Sequence, residues 1–193
     1  MIEAILFDMD GTITRPHIDW KALRQRVGAP EGMPIMEYVD SLPAPEQERG
    51  HAIIEEIEME AAEQAVLNPG AAELLRELRT HSLRLGLITN NNRNAMRKVV
   101  QKFDLDFDLL LSREDAPLKP APDLLLLALD TFQLEPAQAR FVGDGHYDRM
   151  ASEAAGIPYI QLMHERQVPV QEPVIYALRE LWNYLELDSK LGD

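Results

Sequence analysis

Five short apolar runs, separated by stretches of helical periodicity, constrain this chain more than any other feature. Ala4 to Phe7 ends in Asp-Met-Asp-Gly, Leu83 to Ile88 in Thr-Asn-Asn-Asn, Leu109 to Leu111 in Ser-Arg-Glu-Asp, and Phe141-Val142 in Gly-Asp-Gly. A fifth run, Pro158 to Leu162, follows Gly156. Continuous apolar runs of this length read as strands buried on both faces. Between them, apolar residues recur at helical spacing over Ala71 to His81, Arg93 to Phe103, Pro122 to Phe132 and Tyr147 to Ala155. Strands alternating with helices predict an α/β fold, a parallel sheet covered by helices on both faces. In such sheets chemistry collects at the carboxyl ends of the strands.

One segment breaks the alternation. Ile13 to Leu67 has helical periodicity and no strand pattern, with apolar stripes at Trp20, Leu23 and Val27, at Ile35, Met36 and Val39, and at Ile54, Ile57, Ala61 and Ala65. It reads as a small helical insertion over 13–67, with 1–12 and 68–193 forming the main domain. Asn68-Pro69-Gly70 punctuates the return. Val174 to Leu187, apolar at Ile175, Leu178, Leu181, Trp182 and Leu185, predicts a last amphipathic helix packed on the sheet.

Charge narrows the partners. The chain has 33 acidic against 19 basic residues, a formal charge of -14, and so has none of the basic surface that releases counterions from nucleic acid or holds an anionic membrane. A small phosphorylated molecule is still compatible, because a bound divalent cation can reverse the field locally. Cysteine is absent, which removes disulfides and thiolate metal sites and suits a reducing compartment. The first apolar stretch, Ala4 to Phe7, is too short for a signal peptide or a membrane span, so the expected compartment is the cytoplasm. The sequence carries no signal for the number of subunits.

Asp8 and Asp10 stand two apart where the first strand runs out, and in extended chain residues i and i+2 project to the same side. Gly11 permits a sharp turn just beyond them, and Thr12 offers a hydroxyl to tie it. Two crowded carboxylates resist being ionised together unless a hard divalent cation joins them; one can then act as nucleophile and the other as proton donor. A solvated turn is the plainer alternative, whereas a calcium loop would need a further Asp or Asn before Gly11 and a later Glu. Thr89 and Asn90 end the second strand, where a hydroxyl and backbone N–H groups can hold a phosphoryl oxygen. Lys119 precedes Pro120, which biases it to extended backbone on a stiff loop; an exposed charge is the ordinary alternative. Asp144 sits at the end of the fourth strand and Asp148 four residues on, where it could equally favour a helix N-terminus.

Taken in order, Asp8-Met9-Asp10-Gly11-Thr12, Thr89, Lys119 and Gly143-Asp144 with Asp148 resemble the four motifs of the haloacid dehalogenase superfamily. The resemblance spans almost the whole chain, and the insertion is similar to the type 1 helical cap of phosphoglycolate phosphatase-like and sugar-phosphate phosphatase-like members. It implies a Rossmann-like core and a phosphatase acting on a small phosphorylated metabolite. Asp8 would attack phosphorus; Asp10 would protonate the leaving oxygen and then activate water; Thr89 and Lys119 would stabilise the transferring group. Asp8, the main-chain carbonyl of Asp10, and Asp144 would bind Mg²⁺, with Asp148 orienting its waters or Lys119. Gly11, Thr12 and Asn90 would line the phosphate site. Gly145 departs from the Ser that relatives often carry, removing a hydroxyl from the metal loop. Arg15, His17 and Trp20, at the start of the cap, are candidates for substrate contact, with Trp20 as core and the other two as hinge surface the alternative.

Phosphomutases share all four motifs and are the nearest enzymatic alternative. A non-catalytic phosphoacceptor domain like bacterial response regulators fits less well, because there the acidic residues come from different strands and no cap is inserted. Dehalogenating relatives usually lack an acid at the position of Asp10.

Overall fold

The computed structural model describes residues 1–165 and 173–185. Six strands form one parallel sheet: β1 (Ala4–Phe7), β2 (Arg84–Ile88), β3 (Leu109–Leu111), β4 (Ala139–Gly143), β5 (Tyr159–Leu162) and β6 (Val174–Ile175). Their spatial order is β3-β2-β1-β4-β5-β6, so the direction of winding reverses between β1 and β4. That reversal leaves a crevice at the strands' carboxyl ends. Phe7 lies opposite both Leu87 and Val142, which brings the residues following β1, β2 and β4 to one edge of the sheet.

Side chains alternate faces along each strand and build two cores. Ile5 and Phe7 of β1 pack with Leu85, Leu87 and Val142 under α4 (Ala71–Thr80) and α5 (Arg93–Lys102). Ala4 and Leu6 point the other way, joining Ile88 and Phe141 under α6 (Asp123–Phe132) and α7 (His146–Ala155). These four helices start and stop within one residue of the spans expected from periodicity.

The last expected helix is not there. Val174–Ile175 instead extends the sheet beside β5, and Leu178–Tyr184 forms a 3₁₀ helix that buries Leu178 and Leu181. Ile175, Leu178 and Leu181 recur every three residues, a spacing that fits the three-residue turn of a 3₁₀ helix as well as the α-helical period. Glu186 and Leu187 of that expectation lie outside the described residues.

Between β1 and α4 come α1 (Trp20–Val27), α2 (Ile35–Asp40) and α3 (Ala44–Gln64). Leu23, Val39, Ile54 and Ala61 close a separate small core. Trp20 does not join it and stays 54% exposed, which overturns its reading as a core residue. The C-terminal end of α3 leaves this cluster and packs Ala62 into the sheet's core. Lys102 of α5 donates to the carbonyls of Glu63 (2.6 Å) and Ala65 (2.8 Å), satisfying orphan acceptors at the helix end. The chain enters and leaves this region through one seam, with Arg15 N–H donating to Val66 O (2.8 Å) and Asn68 N–H to Ile13 O (2.9 Å). The Asn68 side-chain amide donates to the carbonyls of Gly11 (3.0 Å), Thr12 (2.8 Å) and Thr14 (3.1 Å). Among the described residues, no helix is long and apolar enough to cross a membrane.

Helix α3 approaches α2 at Gly50, where an added Cβ would lie 2.7 Å from Val39 Cγ1. Gly50→Leu should therefore force the two helices apart and cost about 1–3 kcal/mol, as small-to-large changes in packed sites do, measurable by urea denaturation.

Candidate active site

Asp8 follows β1 directly, its N–H donating to Val142 O (2.9 Å), so the sheet itself holds the residue in the crevice. Gly11 turns the chain away at φ +89, and a Cβ there would lie 2.1 Å from Asp144 Oδ2. The glycine is thus needed twice, for its backbone and for the space that Asp144 occupies. Asp144 follows β4. Asp148 lies in the first turn of α7, where its Oδ2 accepts from Gly145 N–H (3.0 Å). Gly145 thus supports Asp148 through its backbone N–H, with no side-chain hydroxyl at that position, as the sequence indicates.

Lys119 reaches the cluster from the loop before α6. Its ammonium donates to Asp8 Oδ1 (2.5 Å), Asp148 Oδ1 (2.6 Å) and Ile88 O (3.1 Å), using all three protons. It is buried, against the reading of an exposed charge. Burial alone would push the ammonium down, but the charges of Asp148 and Asp8 outweigh it and hold its pKa above the ordinary lysine value. For Asp8, burial and then the Asp148 charge raise the pKa well above the carboxylate range, with Lys119 opposing them. Burial, then Asp148, push Asp144 up to about 6. Asp8, Asp144 and Asp148 each present an oxygen within 4.8 Å of the others, three carboxylates around one lysine.

Asp10 occupies different surroundings. Its carboxyl accepts from Asn91 Nδ2 (2.5 Å) and Thr14 Oγ1 (3.1 Å), and burial lifts its pKa although both hydrogen bonds lower it. The side-chain cluster able to hold an ion contains Asp148 and not the Asp10 carboxyl.

One expected role is corrected. The Thr12 hydroxyl does not tie the turn; it is buried with no hydrogen-bond partner, and Thr14 performs the task by donating to Met9 O (3.2 Å) as well as to Asp10. The Asn90 side chain clamps the lysine loop, its amide donating to Lys119 O (2.8 Å) while its oxygen accepts from Lys119 N–H (3.0 Å). Thr89 lies where expected, buried at the end of β2, with its Oγ1 accepting from Asn91 N–H (3.1 Å).

Sequence reasoning missed Asn91, Thr14, Asn68 and the pair Glu58–Arg113. Glu58 is buried on α3 and accepts from Arg113 (2.5 Å), from Asn92 Nδ2 (2.6 Å) and from Asn92 N–H (3.1 Å). Burial raises its pKa, and Arg113 and Asn92 pull it back only in part. A signal existed: Glu58 stands four residues after Ile54 and three before Ala61, in phase with the buried stripe. Trp20 and His17 line the large cavity above the carboxylates, whereas Arg15 is exposed at the seam and is not among the lining residues.

The sequence profile of the haloacid dehalogenase-like hydrolases matches residues 2–156. A haloacid dehalogenase-like hydrolase domain-containing protein of Arabidopsis thaliana is 32% identical over 78% of the chain and 66% of its own length. A phosphoglycolate phosphatase of Escherichia coli O157:H7 is 31% identical over 81% of the chain and 62% of its own length. The matched stretch thus spans just under two thirds of each relative. A crystal structure of a HAD-superfamily hydrolase from Geobacter sulfurreducens shares the fold, with a TM-score of 0.66 and 24% identity over 95% of the chain and 96% of that structure.

Removing one member of a buried ion pair strands the other. Glu58→Ala should cost about 3 kcal/mol in urea denaturation, and replacing Glu58 and Arg113 together by methionine should recover most of that loss.

Proposed function

The chain belongs to the haloacid dehalogenase-like hydrolase family, and from that premise we propose that it hydrolyses a small phosphomonoester, of the phosphoglycolate or sugar-phosphate kind, through a phospho-aspartyl intermediate on Asp8. The observation that carries this reading is the meeting of Asp8, Asp144, Asp148 and Lys119 at the sheet's switch point. A divalent cation suits the donor set: three carboxylates, all oxygen, with one lysine to offset them. Asp8, Asp144 and the Asp10 carbonyl would hold Mg²⁺, with Asp148 beside them. Bound there, Mg²⁺ would neutralise phosphoryl oxygens and let Asp8 stay ionised despite its burial.

The remaining chemistry falls to side chains. An Asp8 oxygen attacks phosphorus as the bond from phosphorus to the leaving oxygen breaks, and the Asp10 carboxyl gives its proton to that oxygen. Asp10, now a carboxylate, takes a proton from water, whose oxygen attacks phosphorus, releasing phosphate and restoring Asp8. The raised pKa of Asp10 suits a group that must begin protonated. Lys119, bonded to Asp8, and the Thr89 hydroxyl at the end of β2 would offset the charge that develops on the transferring oxygens. Residues 13–67 form the cap in this proposal, closing over the leaving group and keeping bulk water from the intermediate.

With a small activated aryl phosphate, Asp8→Asn should release no phosphate while keeping its fold, and turnover near the native rate would reject the nucleophile. Asp10→Asn should lose on the order of 10² to 10⁴ in rate through loss of acid-base help. Exhaustive chelation should abolish release and Mg²⁺ should restore it; full activity in verified metal-free protein would count against the metal.

A further inference from the structure

Above the carboxylates lies a cavity of about 1380 Å³, far larger than a two-carbon ester needs. Its lower wall is the sheet's edge and its upper wall is the insertion, which contributes Ile18, Trp20, Ile35 and Met36 as an apolar surface. Trp20, 54% exposed in a region that has a core of its own, is left free to cover a ligand. Ten carboxylate side chains line the cavity against three permanent cations. Each of those cations is already engaged. Lys119 is held by Asp8 and Asp148, Arg113 by Glu58, and Arg24 by the carbonyls of Pro30 (2.5 Å) and Met33 (2.7 Å). The histidines of the lining are engaged as well, His17 with Gln64 (2.9 Å), His51 with Asp40 (2.9 Å) and His146 with Arg149 (3.3 Å). Lys119 and a bound cation can serve the phosphoryl end, but beyond it the wall offers Glu37 and Glu55, both exposed, to whatever the phosphate is attached to.

We infer that the leaving alcohol accepted here carries no negative charge and lays an apolar or aromatic face on Trp20, so that uncharged and ammonium-bearing phosphate esters are preferred over carboxylate-bearing ones. The inference rests on the phosphatase reading and narrows it to the side away from phosphoglycolate. A substrate carboxylate entering this cavity would face Glu37 and Glu55, or take Arg113 from Glu58, stranding a buried acid, or have to draw Arg24 off the carbonyls of Pro30 and Met33 that hold it. An aryl or other flat apolar group meets a surface that attracts it, and an ammonium gains from both the carboxylates and the indole face.

The test compares esters of equal size in the Mg²⁺-loaded protein: 2-phosphoglycolate, 2-hydroxyethyl phosphate and 2-aminoethyl phosphate, with phenyl phosphate and 4-carboxyphenyl phosphate as an aryl pair. In each set kcat/KM for the carboxylate member should be lower by about tenfold or more. Glu37→Lys combined with Glu55→Lys should narrow that gap by raising phosphoglycolate hydrolysis, and Trp20→Ala should lower phenyl phosphate turnover more than that of 2-hydroxyethyl phosphate. Phosphoglycolate hydrolysed as well as, or better than, its partners would overturn the inference while leaving the phosphatase reading intact. An unchanged gap in the double lysine variant would overturn the electrostatic cause. Release of phosphate from none of the five esters by folded, Mg²⁺-loaded protein would overturn the phosphatase reading and the inference with it.

Discussion

Everything at this site is arranged around one buried ammonium among three carboxylates, two of them buried and the third, Asp144, partly so. Lys119 donates to two of them, and its third proton is held by the Ile88 carbonyl, so it can be neither moved nor shared further without cost. Three acids and one base leave an excess of negative charge in a place where burial penalises every ion. The raised pKa values of Asp8 and Asp144 express that burial first and the neighbouring Asp148 charge second. A cation held among them would remove the excess of negative charge.

The sheet order supplies this crowding. Because β1 and β4 are neighbours, Asp8 and Asp144 start from adjacent backbones, and Gly11 lets their loops touch. Asp10, only two residues from Asp8, escapes the cluster by bonding to a neutral amide and a hydroxyl. Two carboxylates from one motif thus sit in unlike surroundings, one beside a fixed positive charge and one beside neutral donors, the circumstance in which two acids assume different roles. The loop after β2 connects this acid to the insertion. Asn91 holds Asp10, and the next residue, Asn92, is held by Glu58 of α3 while its own oxygen caps α5 through Ala95 N–H (2.8 Å).

Much of this was legible in the sequence, because parallel strands announce themselves as uninterrupted apolar runs and their ends mark the site. Asp8, Thr89 and Asp144 could be placed at strand ends from pattern alone, and Lys119 on a stiff loop before a helix. What stayed hidden depends on contacts across the chain. Asn90 and Asn91 look alike as turn residues, yet one grips the lysine loop and the other the acid, and no local rule separates them. Thr12 and Thr14 are two apart and equally able to tie a turn; the fold chose the one whose hydroxyl reaches Met9 O. The C-terminal segment misled because its apolar spacing satisfies two helical periods, and pairing of Ile175 with Leu162 settled the matter.

The Asn68 amide, which gathers three carbonyls from the first loop and lies beside the outgoing strand of the seam, bears on how such a protein can change over evolutionary time. It places the two ends of the inserted segment side by side on a fixed footing. Any replacement segment whose termini lie equally close would meet the same footing of three carbonyls, so the helices beyond the seam could change in size and chemistry without disturbing the backbone that presents Asp8 and Asp10.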